Sequence, residues 1–224
     1  MSGKPRRHLP LPACRSIFNT DALGWLAANP PRSGHSVVTS LPDLSELPGL
    51  SLDNWRAWFV GAARSIIQWL PQGQVAIFYQ SDIRHQDVWI DKAHLIMTAS
   101  DAEKAALIWR KIVCRKPPGT IAMGRPSYSH MLCIAKSPIP RITRPGPDIL
   151  ADAGPVSWSR GMGEGACRLA CRFLIDETKA TTVVDPFCGE GAILGIANVM
   201  GLGAIGIDLS PARCRAAATV AFQR

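Results

Sequence analysis

The chain has 224 residues, of which 47% are hydrophobic and 19% are charged, so it can bury a sizeable core and is not a disordered chain. Lysine and arginine outnumber aspartate and glutamate by 25 to 17, and the net charge of +8 favours a polyanionic partner without indicating a fold. The seven cysteines are irregularly spaced, which excludes a disulfide scaffold, and no apolar run predicts a signal peptide or a membrane span. We therefore expect a soluble, cytoplasmic protein that does not associate with membranes.

The first 136 residues predict strands that alternate with helices. Short β-branched and apolar runs predict strands over residues 16–19, 35–40, 74–79, 109–114 and 128–135. Between them, helical patterns cover residues 21–26, 51–70 and 91–107.

The C-terminal third repeats this alternation after a proline-rich segment. Residues 137–160 contain five prolines and predict a loop, and a helix is predicted over 165–175. A strand over 181–185, a glycine-bearing turn, a helix over 192–200 and a second strand over 204–208 then follow. Ser210 and Pro211 are typical of the start of a last helix. Short connections between alternating strands and helices indicate a doubly wound α/β fold with a Rossmann-like, seven-stranded, mostly parallel sheet.

In such a sheet a ligand binds beyond the carboxyl ends of the strands. Gly189 and Gly191 follow the strand that ends at Asp185, and glycine lets the backbone approach a ligand closely. Asp208 stands 23 residues after Asp185, about where an acid binds ribose hydroxyls in dinucleotide folds. A nicotinamide cofactor is disfavoured because Leu194 occupies the third glycine position of its fingerprint. The pattern predicts a nucleoside-like ligand.

The segment Asp185-Pro-Phe-Cys-Gly-Glu-Gly191 resembles the cofactor loop of S-adenosylmethionine-dependent methyltransferases, in the form typical of nucleic-acid amino-methyltransferases. Ile205-Gly-Ile-Asp208 resembles the ribose-binding strand end of that family. The resemblance implies that S-adenosyl-L-methionine is the cofactor. The residues that it implies for cofactor binding are Asp21, Asp185, Phe187, Gly189, Gly191 and Asp208.

The order of the segments resembles the circularly permuted branch of the family, in which the catalytic half comes first. The segment at 19–21 resembles the part that meets the adenine, and the segment at 125–130 resembles a later part of the same branch. The implied organisation is a single methyltransferase domain. Its parts are a basic N-terminal arm (1–15), a catalytic half (16–136), the proline-rich loop (137–160) and a cofactor-binding half (161–224).

The expected catalytic turn departs from the family's pattern. Members carry Asp, Asn or Ser, then two prolines, then an aromatic that stacks on the target base, whereas this chain reads Ser40-Leu41-Pro42-Asp43. The resemblance implies catalytic roles for Ser40, Pro42 and Asp43. Asp43 cannot stack, and we hypothesise that it accepts a proton or hydrogen bond from an N–H of the acceptor. An ordinary polar turn explains Asp43 equally well.

Basic residues are spread along the chain, with Lys4, Arg6 and Arg7 in the arm and a cluster near residues 110–116. Their sum favours a nucleic-acid partner. RNA, such as tRNA, is preferred over DNA because the 137–160 loop is too short to read a duplex by itself. Trp89 and Trp158 are candidates for base stacking.

Three alternatives to RNA methylation remain: a DNA amino-methyltransferase, a methyltransferase for a small molecule or protein, and a catalytically silent binding subunit. A homodimer or a partner subunit is compatible with each of them. No metal is expected, because the five histidines are scattered and no Cys-x-x-Cys pair is present.

Overall fold

Strands and helices alternate along residues 14–144 and 146–223, which are the residues that this computed structural model describes. The strands are β1 (Arg15–Asn19), β2 (His35–Thr39), β3 (Val75–Gln80), β4 (Ile83–His85), β5 (Val88–Ile90), β6 (Ala106–Cys114), β7 (Tyr128–Ala135), β8 (Ile149–Leu150), β9 (Thr182–Asp185) and β10 (Gly203–Asp208). The helices are α1 (Ala22–Ala28), α2 (Leu52–Trp69), α3 (Lys92–Ala102), α4 (Glu164–Glu177), α5 (Ala192–Val199) and α6 (Pro211–Thr219). Lys4, Arg6 and Arg7 of the predicted basic arm lie outside the described residues.

Eight of these strands form one sheet in the order β1-β10-β9-β2-β3-β7-β6-β8, and β4 and β5 form a separate hairpin. Five of the seven neighbouring pairs in the large sheet are parallel, and β7 runs antiparallel to both of its neighbours. This confirms the doubly wound, mostly parallel sheet. The predicted number of seven strands is one too low, because β8 arises within the proline-rich segment. Two residues are too few for a periodic signal, and β8 exists only through its pairing with Ile112 and Val113 of β6.

The sheet is covered on both faces, which explains why its central strands read as continuous apolar runs. Every residue of β2 and β3 is buried. Side chains of α4 and α5 form the core on one face, and those of α2 and α3 form it on the other. None of the described helices is both long and apolar enough to cross a membrane.

Helix α3 ends at Ala102, five residues before the predicted end at 107. Lys104 adopts a left-handed conformation with φ of 51°, and the N–H of Ala105 bonds back to the carbonyl of Ser100, which closes the helix. Leu107 then pairs with Ile134 of β7. Strand pairing therefore overrides the helical pattern of this segment.

The strand order reverses between β9 and β2. From β9 the chain continues outward to β10, whereas from β2 it continues in the other direction to β3. The register aligns His35 with Thr182 and Val37 with Val184, so both strands end at the same edge. A reversal of this kind opens a crevice at the carboxyl ends of the two strands.

Candidate functional site

The crevice contains a cavity of about 270 Å³ at the carboxyl ends of four strands. Seven of the nine residues predicted as site residues line it, namely Asp21, Ser40, Pro42, Asp185, Phe187, Gly189 and Asp208. Asp43 and Gly191 do not. The fold therefore joins the predicted cofactor loop with the predicted catalytic turn, although the two are far apart in the sequence.

Asp208 connects the loops that follow β9 and β10. Its Oδ2 accepts a hydrogen bond from the N–H of Gly189 at 3.0 Å, and its Oδ1 accepts one from the N–H of Ser210 at 2.8 Å. The carboxylate therefore has a defined orientation, and each oxygen keeps a lone pair for a further donor.

Gly189 allows a large ring to approach the loop closely. A Cβ atom at this position would lie 2.8 Å from Cζ2 of Trp158, and the residue has a φ of 52°. Both the contact and the backbone conformation favour glycine. Trp158, predicted as a base-stacking residue, thus packs on the predicted cofactor loop.

Asp185 is buried at the end of β9. Its Oδ1 accepts a hydrogen bond from Oγ1 of Thr39 at 2.6 Å and one from the N–H of Phe187 at 3.2 Å. Burial raises the pKa of the Asp185 carboxyl to about 7, although both hydrogen bonds act in the opposite direction. Because Thr39 directly precedes Ser40, this side chain links the predicted cofactor loop to the predicted catalytic turn.

Asp21 and Gly191 both occupy the start of a helix. Oδ2 of Asp21 accepts the N–H of Gly24 at 2.6 Å and so caps α1, while the residue also lines the cavity. Gly191 caps α5 with a φ of 78°, and a Cβ there would lie 2.8 Å from the Cβ of Ala217. Glycine at 191 is therefore explained by the packing of α5 against α6.

Three charged side chains from distant parts of the sequence also line the cavity. Glu46 lies 3.0 Å from Nη1 of Arg160 and 3.7 Å from Nη2 of Arg213. The guanidinium of Arg213 also lies over the ring of Trp158, at 5.1 Å from its centre. These residues come from three separate segments, including the proline-rich one, so no local motif indicates them.

The predicted catalytic turn is divided between two sides. Ser40, Leu41 and Pro42 line the cavity, and Nε1 of Trp55 donates a hydrogen bond to the carbonyl of Pro42 at 3.2 Å. Asp43 instead lines a second cavity of about 300 Å³. The remaining residues around this second cavity are Leu44, Ser45, Ile83, Arg84, His85, Gly124 and Arg125.

Two cations hold the Asp43 carboxylate. Oδ1 accepts a hydrogen bond from Nζ of Lys92 at 2.5 Å, and Oδ2 accepts one from Nη2 of Arg125 at 2.7 Å. Lys92 is only 2% exposed, and burial lowers the pKa of its ammonium group, while Asp43 raises it. The pairing ties the catalytic turn to α3 and to the segment before β7.

A polar cluster lies at the carboxyl end of β3. Asp82, Asp91 and His130 place side-chain atoms within 4.8 Å of one another, a grouping that the sequence spacing does not reveal. Both carboxylates already accept backbone N–H groups at the start of α3, Asp82 from Lys92 and Asp91 from His94. Their helix-capping role accounts for the two acids.

No family model matches the chain, and no curated protein matches its sequence. Among solved structures, a candidate DNA modification methylase from Thermus thermophilus, complexed with S-adenosyl-L-methionine, is similar with a TM-score of 0.70 at 20% identity, over 92% of this chain and 93% of that one. PvuII DNA methyltransferase, which is cytosine-N4-specific, is similar with a TM-score of 0.71 at 14% identity, over 92% of this chain and 86% of that one. The M1.HpyAVI–SAM complex is similar with a TM-score of 0.61 at 12% identity, over 91% of this chain and 98% of that one. The chain has the class I methyltransferase fold, as its sequence predicts.

Replacing Gly191 with Ala is expected to destabilise the protein more than replacing Gly201 with Ala. Both glycines have a left-handed φ, but a Cβ at 201 meets nothing within 4 Å. Backbone strain of about 1–2 kcal/mol is common to both variants. Contact with Ala217 adds about 1–3 kcal/mol to the first alone. Urea unfolding of the two variants measures the difference, and equal losses would contradict the packing role.

The Asp185 carboxyl is expected to make the protein less stable as the pH rises from about 4 to 7. Its pKa of about 7 in the folded state exceeds that of the unfolded chain, so folding retains a proton that unfolding releases. The loss reaches about 4 kcal/mol relative to an Asp185→Asn variant, whose side chain does not titrate. Urea unfolding of both proteins from pH 4 to 8 tests this, and parallel curves would refute it.

Proposed function

We propose that the chain is an S-adenosylmethionine-dependent methyltransferase that methylates a base nitrogen of DNA. The observation that carries the proposal is the shared cavity lined by Gly189, Asp208 and the turn from Ser40 to Pro42. A cofactor loop and an acceptor turn at the same strand ends are what methyl transfer requires, because the reaction depends on positioning the two reactants.

The residues around the cavity fit a nucleoside that carries a positive charge. Asp208 can accept hydrogen bonds from ribose hydroxyls through its remaining lone pairs, and Asp21 lies beside it on the neighbouring strand end. Phe187, whose ring packs edge-on against Trp58 at 5.9 Å, offers an apolar wall. When bound, the cofactor supplies a methyl group on a positively charged sulfur. The two acids would favour such a ligand electrostatically.

The catalytic turn would orient the acceptor nitrogen. The Ser40 hydroxyl can accept a hydrogen bond from an N–H of the acceptor, and the Pro42 carbonyl keeps one lone pair beside its bond from Trp55. These contacts would aim the nitrogen lone pair at the methyl group. At the mouth, Trp158 and the ion pair of Glu46 with Arg160 would limit the access of water.

Asp43 has two possible roles in this scheme. In the first, it accepts a proton or a hydrogen bond from the acceptor, as the sequence analysis hypothesises. In the second, it acts on the turn alone, through its ion pairs with Lys92 and Arg125. Its position beside the second cavity is compatible with both roles.

We propose DNA as the substrate, whereas the sequence alone favours RNA. That preference depends on the short 137–160 segment and finds no support among the structural neighbours. The Thermus protein, described as a candidate DNA modification methylase, is covered over 93% of its length by this chain. Proteins of about this size therefore carry that description without a large added domain. The net charge of +8 suits either polymer.

The proposal predicts methyl transfer to DNA that depends on Asp208. Purified protein, tritiated S-adenosylmethionine and unmethylated genomic DNA should yield a labelled nucleoside, which mass spectrometry identifies. Asp208→Asn should weaken cofactor binding in calorimetry by roughly tenfold to a hundredfold, because it removes charge-assisted hydrogen bonds. Asp101→Asn, on an exposed position of α3, is the control.

Other outcomes of the same experiment contradict the proposal in distinct ways. Label in total RNA instead of DNA would restore RNA as the substrate. Cofactor binding without label in either polymer would indicate a small-molecule or protein substrate. Absence of cofactor binding would indicate a silent subunit.

Removal of the Asp43 charge is expected to destabilise the protein. Asp43→Asn leaves Lys92 buried beside Arg125 without its hydrogen-bonded anion, at a cost of about 3–5 kcal/mol in unfolding free energy. The double variant Asp43→Asn/Lys92→Met should regain most of that stability. Asp53→Asn, in an exposed ion pair with Arg56, should change it by less than about 1 kcal/mol.

Methyl-transfer rates of these variants separate the two roles of Asp43. If the double variant regains activity together with stability, Asp43 positions the turn. If it is stable and inactive, with unchanged cofactor affinity, the reaction requires the Asp43 carboxylate itself. An Asp43→Asn variant as stable as the wild type would contradict the stabilising role of the ion pairs with Lys92 and Arg125.

A further inference from the structure

The hairpin of β4 and β5, whose strand β4 lines the second cavity, exposes an aromatic ring. Gln86 and Asp87 have φ values of 46° and 64°, as in the tight turns that join two antiparallel strands. Trp89 is 49% exposed and stands directly opposite Arg84, which lines the cavity. Directly opposed residues share one face of a hairpin. Ile83 and Ile90 are buried on the other face, so the hairpin packs without using Trp89.

The connection between β6 and β7 borders the same cavity from another side. Ile121 and Met123 in this connection are each 91% exposed, although they are large and apolar. The next two residues, Gly124 and Arg125, line the cavity. Residues 115–127, which we name the wedge loop, contain three basic residues and no acidic one.

Charge on this face favours an anion. Arg115 and Lys116 are exposed at the start of the wedge loop. Asp43, the acid in the cavity wall, is already balanced by Lys92 and Arg125. Asp87 on the hairpin is paired with Arg84 at 3.1 Å. The two cations at the loop start are therefore available to phosphate groups.

We infer that the wedge loop and Trp89 hold an unpaired stretch of the DNA substrate around the second cavity. This inference rests on the proposed function and identifies where its substrate binds. Apolar side chains such as Ile121 and Met123 are used by DNA-binding proteins to separate stacked bases. An exposed indole stacks on a base of any sequence, and a base that is to be modified has to leave the stack.

The arrangement assigns a role to five exposed residues on this face. Ile121 and Met123 replace the contacts of the displaced base, Trp89 stacks on a neighbouring base, and Arg115 and Lys116 contact the backbone. The second cavity, of about 300 Å³, would hold a base next to the acceptor, while the acceptor itself would enter the first cavity at Ser40 and Pro42. Exposed apolar side chains next to exposed cations suit a nucleic acid, because the core of a protein interface is depleted of charged residues.

Fluorescence anisotropy with labelled DNA duplexes of about three helical turns tests the inference. One duplex is fully paired, and the other has a short run of mismatched pairs at its centre. The wild-type protein should bind the mismatched duplex more tightly. Ile121→Ser/Met123→Ser and, separately, Trp89→Ala should each weaken that binding by about fivefold to a hundredfold, the range for loss of one stacked base. The control is Ile149→Ser, which changes an apolar residue that is 61% exposed on β8.

Wild-type affinity in both test variants would overturn the inference, as would equal binding of the two duplexes by the wild type. Tighter binding of an RNA duplex with the same mismatches would overturn the assignment to DNA. Cofactor calorimetry distinguishes this failure from failure of the proposed function. A protein that binds S-adenosylmethionine but not the mismatched DNA contradicts only the DNA-binding face. One that binds that DNA but not the cofactor contradicts the methyltransferase.

Discussion

The pairing of β2 with β9 is the constraint on which the rest of the molecule depends. These strands lie near opposite ends of the chain, yet they are parallel neighbours at the centre of the sheet. The hydrogen bond of 2.6 Å from Thr39 to Asp185 joins their carboxyl ends inside the core. If these strands were apart, the glycine loop and the catalytic turn would not share a cavity. The buried carboxyl is unfavourable when ionised, as the raised pKa of Asp185 indicates.

Charge pairs on either side of the predicted catalytic turn hold it between its neighbours. On the cofactor side, Glu46 pairs with Arg160 and Arg213 at the cavity mouth. On the other side, Asp43 pairs with Lys92 and Arg125. Asp43 belongs to the turn itself, and Glu46 ends the short 3-10 helix Leu44–Glu46 that follows it. The turn is therefore positioned by side chains from both halves of the chain, whatever chemical part Asp43 itself takes.

Long, periodic elements could be predicted from the sequence, whereas elements formed by pairing alone could not. The apolar stripe of α2 and the strand–helix–strand pattern from β9 to β10 contain their own local signals. The strand β8 and the hairpin of β4 and β5 are two or three residues per strand, too short for a period to emerge. The predicted end of α3 is too late because an apolar residue such as Leu107 suits a helix and a strand equally. Its pairing with Ile134 of β7 places it in a strand.

By itself, the sequence determined the fold class, the glycine loop and seven of the residues that line the first cavity. It could do so because these features depend on residue types at short spacing, as in the glycines after β9 and the acid that ends β10. Only the tertiary structure decided that Gly191 serves packing against Ala217, that Asp43 faces two cations, and that Trp158 packs on the glycine loop. Each of these facts depends on contacts between distant segments. Local sequence spacing does not predict such contacts, because the partners become neighbours only when the strands and helices pack together.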